Sequence, residues 1–128
     1  MSSREMNVLL EAKSYHRIAA SGKIGEKPMD NNKKFTFITQ AIEKYFMYSL
    51  LKKSVIPADH KLLDLYKIYQ KLTPLETGME LADKLDKMDK IDNLCSLDVY
   101  KSEKLSNQDI DSMLAITNEV AQLIKKEE

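Results

Sequence analysis

The chain has 128 residues, 43 % of them hydrophobic and 31 % charged, with no formal net charge, as expected of one domain large enough to bury a core without staples. Its single cysteine, Cys95, excludes a disulfide within one chain and cannot alone make a zinc site; three glycines and three prolines are too few for the turns of an all-β chain. With no signal peptide at the start and no apolar run near 18 residues, the expectation is a cytoplasmic protein without a membrane span.

The charge is unevenly spread. Residues 33–72 carry eight lysines against three acids, Glu43, Asp59 and Asp64, a balance of +5; residues 73–128 carry seven lysines against thirteen acids, a balance of −6. Such asymmetry marks a basic face for phosphates, two halves that attract one another, or nothing of functional weight.

In chain order, Ser2 stands three residues before Glu5, a capping-box spacing. Val8, Leu9, Ala12, Tyr15, His16, Ala19 and Ala20 follow at helical spacing, and Gly22 closes this first helix. His16 lies within the stripe and reads as a half-buried core histidine with one hydrogen-bond partner. The segment GKIGEKPMDNN, 22–32, reads as a mobile loop. Asn32 can cap a second helix over about 33–53, where Phe35, Ile38, Ala41, Ile42, Tyr45, Phe46, Ser49 and Leu50 make the strongest amphipathic stripe of the chain.

Pro57 interrupts, and a third helix starts near Asp59 with Leu62, Leu65, Tyr66, Tyr69 and Leu72 inward. In TPLE, 73–76, Thr73 caps a fourth helix, Pro74 takes its first position and Glu76 bonds back to the cap. After Leu97 the pattern fails. Ser106 caps a fifth helix with the stripe Ile110, Met113, Leu114, Thr117, Val120, Ala121 and Ile124. The expected fold is all-α: a single-domain, up-and-down antiparallel bundle of four long helices plus a shorter or bent fifth, over residues 1–128.

The fourth helix contains DKLDKMDKIDNL, with aspartates at 83, 86, 89 and 92. A three-residue step falls about 60° short of a full turn, so these carboxylates wind around the helix and do not converge as a hard-cation site requires. Each has lysines close by, and Asp83–Lys87 and Asp86–Lys90 have the favoured i,i+4 order. The row reads as a solvated face. No metal and no cofactor is expected.

QAIEKYFMYSLLKK, from Gln40 to Lys53, followed by Pro57, His60 and the KLLDLY run, resembles the HEPN domain (higher eukaryotes and prokaryotes nucleotide-binding). The family has a helix with a Gln-Ala-x-Glu-Lys core, a short loop with a histidine, and a leucine-rich helix. The first and last helices fit as well, so the resemblance spans nearly the whole chain. It implies a bundle that usually forms a homodimer. Many members are RNA-cleaving toxins; others accompany a nucleotidyltransferase or serve as non-catalytic binding modules.

The ribonuclease members use an arginine followed, after four to six residues, by a histidine, near the end of the fourth helix. The arginine would hold a phosphate and the histidine move a proton. Here the slots after Arg4 hold Leu9, Leu10 and Glu11, and those after Arg17 hold Gly22, Lys23 and Ile24. In the expected region, NLCSLDVYKSEKLS, Val99 stands in the arginine's place beside Tyr100, and only Lys101 and Lys104 could meet phosphate. The implied function is therefore a non-enzymatic module with no catalytic residues. It would bind a nucleotide, or a protein partner of the nucleotidyltransferase or toxin–antitoxin kind. The candidate ligand residues are Lys52, Lys53, His60 and Lys61, around one loop; His60 reads first as a residue that fixes this loop and only second as a ligand contact. No signal specific to DNA is present. Two alternatives stand beside this reading. One is a ribonuclease using His16 or His60 in a non-standard site, or a transferase using the aspartates; the other is a purely structural interaction domain.

Overall fold

A computed structural model describes residues 3–58, 61–73, 79–95 and 105–127. It is an all-α bundle of four long helices and a short one: α1 (Ser3–Ser21), α2 (Asn31–Lys52), α3 (Leu62–Leu72), α4 (Met79–Cys95) and α5 (Asn107–Lys125). Among the described residues no helix is long and apolar enough to cross a membrane.

The segment after α1 differs from a mobile loop. Gly22 ends the helix at φ +73°, donating its N–H to the Ile18 carbonyl, and Gly25 turns the chain at φ +63°. Both angles lie in the left-handed region that favours glycine. Between and beyond them β1 (Lys23–Ile24) pairs antiparallel with β2 (Lys27–Pro28), and Met29 drops into the interior. The cap of α2 is consequently Asp30, whose side chain accepts from the Lys33 N–H at 2.8 Å, and not Asn32. Asn31 reaches across to the start of α5, donating to the Leu105 carbonyl at 2.7 Å and to Asn107 Oδ1 at 3.0 Å.

α2 is the central helix. Every residue of its predicted stripe is buried, and Tyr48 and Leu51 are buried too, because α1, α3 and α5 pack around it on several sides. α1 runs antiparallel to α2, with Glu11 paired to Lys44 at 3.3 Å and Tyr15 against Phe37. α5 runs alongside α2 in the same direction: the two helix starts are joined through Asn31, and the two ends through Ser49 and Glu127. α2 closes on a Schellman motif, in which Val55 N–H bonds the Leu50 carbonyl and Ser54 N–H bonds the Leu51 carbonyl. Ser54 occupies its left-handed position, at φ +59°.

α3 buries Leu62, Leu65, Tyr66 and Tyr69, while Leu72 faces outward and Thr73 ends α3 as its C-cap. Thr73 was expected to open the next helix; residues 74–78, which hold the rest of that expected cap, lie outside the described residues. So does the Ser2 cap of α1. Ala20, expected on the inner stripe of α1, is exposed. α5 opens as expected on Ser106, which forms a reciprocal capping box with Asp109. Ile116 joins the expected stripe in the core.

Candidate functional site

The strongest local grouping of polar chemistry lies where α2, α3 and the turn after α5 meet. Ser49, buried on the inner stripe of α2, donates its hydroxyl to the Glu127 carboxylate, 2.9 Å from each oxygen. Lys53, one turn further on, places Nζ 2.6 Å from Glu127 Oε1 and 2.9 Å from Ser49 Oγ. Lys52 Nζ donates to the Glu127 backbone carbonyl. Both ammonium groups also lie over aromatic rings, Lys52 at 5.3 Å from the Tyr48 centroid and Lys53 at 5.9 Å from that of Tyr69.

Under this pair lies an aromatic floor. Phe46 packs at 5.7 Å from Tyr66 and 5.4 Å from Tyr69, and the two tyrosines stack at 6.3 Å. The hydroxyls of Tyr48, Tyr66, Tyr69 and Thr73 are all buried without a hydrogen-bond partner. The Tyr69 hydroxyl faces Glu127 and Thr73 but meets neither in hydrogen-bonding geometry. Burial, and then the Glu127 carboxylate, push its pKa up to about 12.

Of the residues expected to bind ligand, Lys52 and Lys53 are thus brought together, and both are engaged by Glu127. Lys61 is exposed at the start of α3, and His60 lies outside the described residues. Ser49, Tyr69 and Glu127 escaped sequence reasoning as site residues. The first two read as core stripe and core or rim; for Glu127 the only signal was the opposed charge of the two halves.

The aspartate row is not uniformly a wet face. Asp89 turns inward and accepts from the backbone N–H groups of Leu62 and Leu63, each at 2.9 Å, so it caps α3 from α4. Asp86 pairs with Lys90 at 3.1 Å as expected, whereas Lys84 pairs with Glu80 at 3.5 Å and no ion pair joins Asp83 to Lys87. The Asp92 side chain lies outside the described set. Among the described residues no three His, Cys, Asp or Glu side chains are grouped to hold a metal ion.

His16 has two partners where one was expected: Tyr45 Oη lies 2.9 Å from Nδ1 and Asn118 Oδ1 lies 2.8 Å from Nε2. The amide oxygen can only accept, so Nε2 donates to Asn118.

The bundle also has an open concavity of about 740 Å³ between α4 and α5. Met88, Ile91, Met113 and Ile116 form its floor, with Ala115 at the edge; Lys84 and Lys87 line the α4 wall, Asp109 and Glu119 the α5 wall. Its origin is in the three-residue repeat. Leu81, Leu85 and Met88 stay in the core against α3, but Ile91 winds out of that face toward α5, which α4 touches only sparsely.

No protein-family model, curated protein or solved structure matches this chain.

Proposed function

We propose that this chain is a non-catalytic helical binding module of the HEPN type, working in the cytoplasm, and that it takes a helix of a protein partner into the α4–α5 groove. The observation that carries the reading is the groove itself: an apolar floor with a basic wall on one side and an acidic wall on the other. A concave surface is complemented by a convex one, and a helix laid in such a groove anchors through residues at i, i+3 or i+4, and i+7. The floor includes two methionines, whose flexible side chains adapt to an incoming surface. The matching helix carries acids along the flank facing Lys84 and Lys87 and bases along the flank facing Asp109 and Glu119. Two copies of the chain present concavity to concavity, so a homodimer through this face would need one copy to donate a helix.

The non-catalytic part of the reading draws support from His16, both of whose ring nitrogens are already hydrogen-bonded. The two arginines, Arg4 and Arg17, have no histidine at the spacing of the ribonuclease members.

The test is fluorescence anisotropy with a synthetic amphipathic helix of that charge pattern. Binding should be weakened at least about tenfold, about 1.4 kcal/mol, by Ala115→Arg, which fills the groove from an exposed position. It should also be weakened by a peptide with its two charged flanks exchanged. A peptide that binds equally well in both charge orders, or equally well to Ala115→Arg, contradicts the reading.

A further inference from the structure

The contact between α2 and the turn after α5 has more donors than an ion pair uses. The Glu127 carboxylate takes Lys53 Nζ on one oxygen and the Ser49 hydroxyl on both, while Lys52 holds the backbone carbonyl of the same residue. The Tyr69 hydroxyl, completely buried, faces this carboxylate and gains no hydrogen bond from it. A buried hydroxyl left unpaired is costly, and its retention beside a cationic cluster calls for an account.

We propose that Ser49, Lys52, Lys53 and Tyr69 form an oxyanion site that the chain's own Glu127 carboxylate occupies, and that a phosphate group competes with Glu127 for it. Geometry and charge favour phosphate as the competitor. A carboxylate presents two oxygens in one plane, which Ser49 and Lys53 already take; a tetrahedral phosphate presents further oxygens, one of which can reach the Tyr69 hydroxyl. Withdrawal of the Glu127 carboxylate also leaves the Lys53 ammonium without its partner, and Lys52, held by the Glu127 backbone carbonyl, adds a second positive charge beside it, a total that suits a phosphate dianion. Glu127 sits on a turn outside α5, where its N–H bonds the Ile124 carbonyl, so the side chain can leave without unwinding the helix. Glu127 then acts as an internal competitor: it keeps the site closed until phosphate is abundant. This goes beyond the groove reading, whose failure would leave it standing.

Calorimetric titration of the whole chain with inorganic phosphate, at low ionic strength and with chloride as the control, tests this. Glu127→Gln should bind phosphate at least about tenfold more tightly than the unaltered chain, equivalent to about 1.4 kcal/mol. Adding Lys53→Met to Glu127→Gln should abolish the gain. A nucleoside diphosphate bound as tightly as phosphate supports a site that reads phosphate alone; tighter binding that is still lost with Lys53→Met supports one that belongs to a nucleotide. If Glu127→Gln binds no better than the unaltered chain, or if Lys53→Met leaves binding intact, the proposal is overturned. Should Glu127→Gln not fold, phosphate added to the unaltered chain must still shift the amide resonances of Glu127 and Lys53; fixed resonances overturn it equally.

Discussion

Asp89 caps a helix to which it does not belong. Its two carboxylate oxygens accept from the N–H groups of Leu62 and Leu63, the first two residues of α3, from a position 27 residues beyond Leu62 on α4. The cap residue of α3 itself, Lys61, supplies no side-chain acceptor. The carboxylate thus satisfies two orphan donors and places a negative charge at the positive end of the helix dipole.

Asp89→Ala should therefore destabilise the bundle by about 1–2 kcal/mol, the usual cost of a lost cap. Asp83→Ala, at an exposed position, should change stability by no more than about 0.5 kcal/mol. Urea melts of the two variants decide the matter. Equal losses would mean that all the aspartates act as a solvated face.

Ser54 offers the opposite change. It holds φ +59° at the left-handed position of a Schellman motif where glycine is usual. Ser54→Gly should stabilise the chain by up to about 1 kcal/mol, the strain relieved exceeding the entropy that glycine adds to the unfolded chain. A loss of stability in the same melt would mean that the serine side chain makes a contribution larger than its strain.

Tyr69 predicts an alkaline limit. Its hydroxyl is neutral in the fold up to about pH 12, against 10.0 for an ordinary tyrosine. Between those values the unfolded chain has released the proton and the folded chain still holds it. The contribution is thus complete below the ordinary value and disappears as the pH rises through the raised one. Stability measured across this window should fall less steeply in Tyr69→Phe than in the unaltered chain. Parallel profiles would remove the buried tyrosine as a cause of alkaline unfolding.

The legibility of this fold varied with how local its determinants are. α2 and α5 were plain in the sequence, because a stripe such as Ile110, Met113, Thr117, Val120 and Ile124 depends only on helical periodicity. The hairpin at residues 23–28 was not, since Lys23, Ile24, Lys27 and Pro28 are all exposed and carry no pattern of burial. Three neighbouring residues, Asp30, Asn31 and Asn32, are all good caps; the hairpin selects Asp30 by setting where the helix begins. Lys52 and Lys53 were read with His60 and Lys61 as a cluster around one loop; Lys52 is the last residue of α2 and Lys53 its C-cap, while His60 lies outside the described residues. That Glu127 neutralises Lys53 depends on α5 lying parallel to α2, a relation set by contacts spanning 74 residues and more. Asp89 was hidden for the same reason, its partners lying in another helix.

Packing at α4 gives a further contrast. Leu85 is completely buried against α3, whereas Ile91 is half-buried at the groove. Leu85→Ala should cost about 2–5 kcal/mol, as deletion of buried methyl groups usually does. Ile91→Ala should cost clearly less in stability while weakening the docked helix. Thermal melts and anisotropy on the same two variants separate the roles; an equal stability loss would make the groove floor ordinary core.

The α4–α5 groove as a docking surface is tested most directly by mapping where a helix binds. Heteronuclear single-quantum NMR spectra would be recorded on the labelled chain during titration with the synthetic amphipathic helix. The predicted result is a continuous patch of shifted resonances over Lys87, Met88, Ile91, Met113, Ile116 and Glu119, with those of Ser49 and Lys53 unmoved. Shifts centred on any other face, or none at peptide concentrations well above the protein's, would contradict the account.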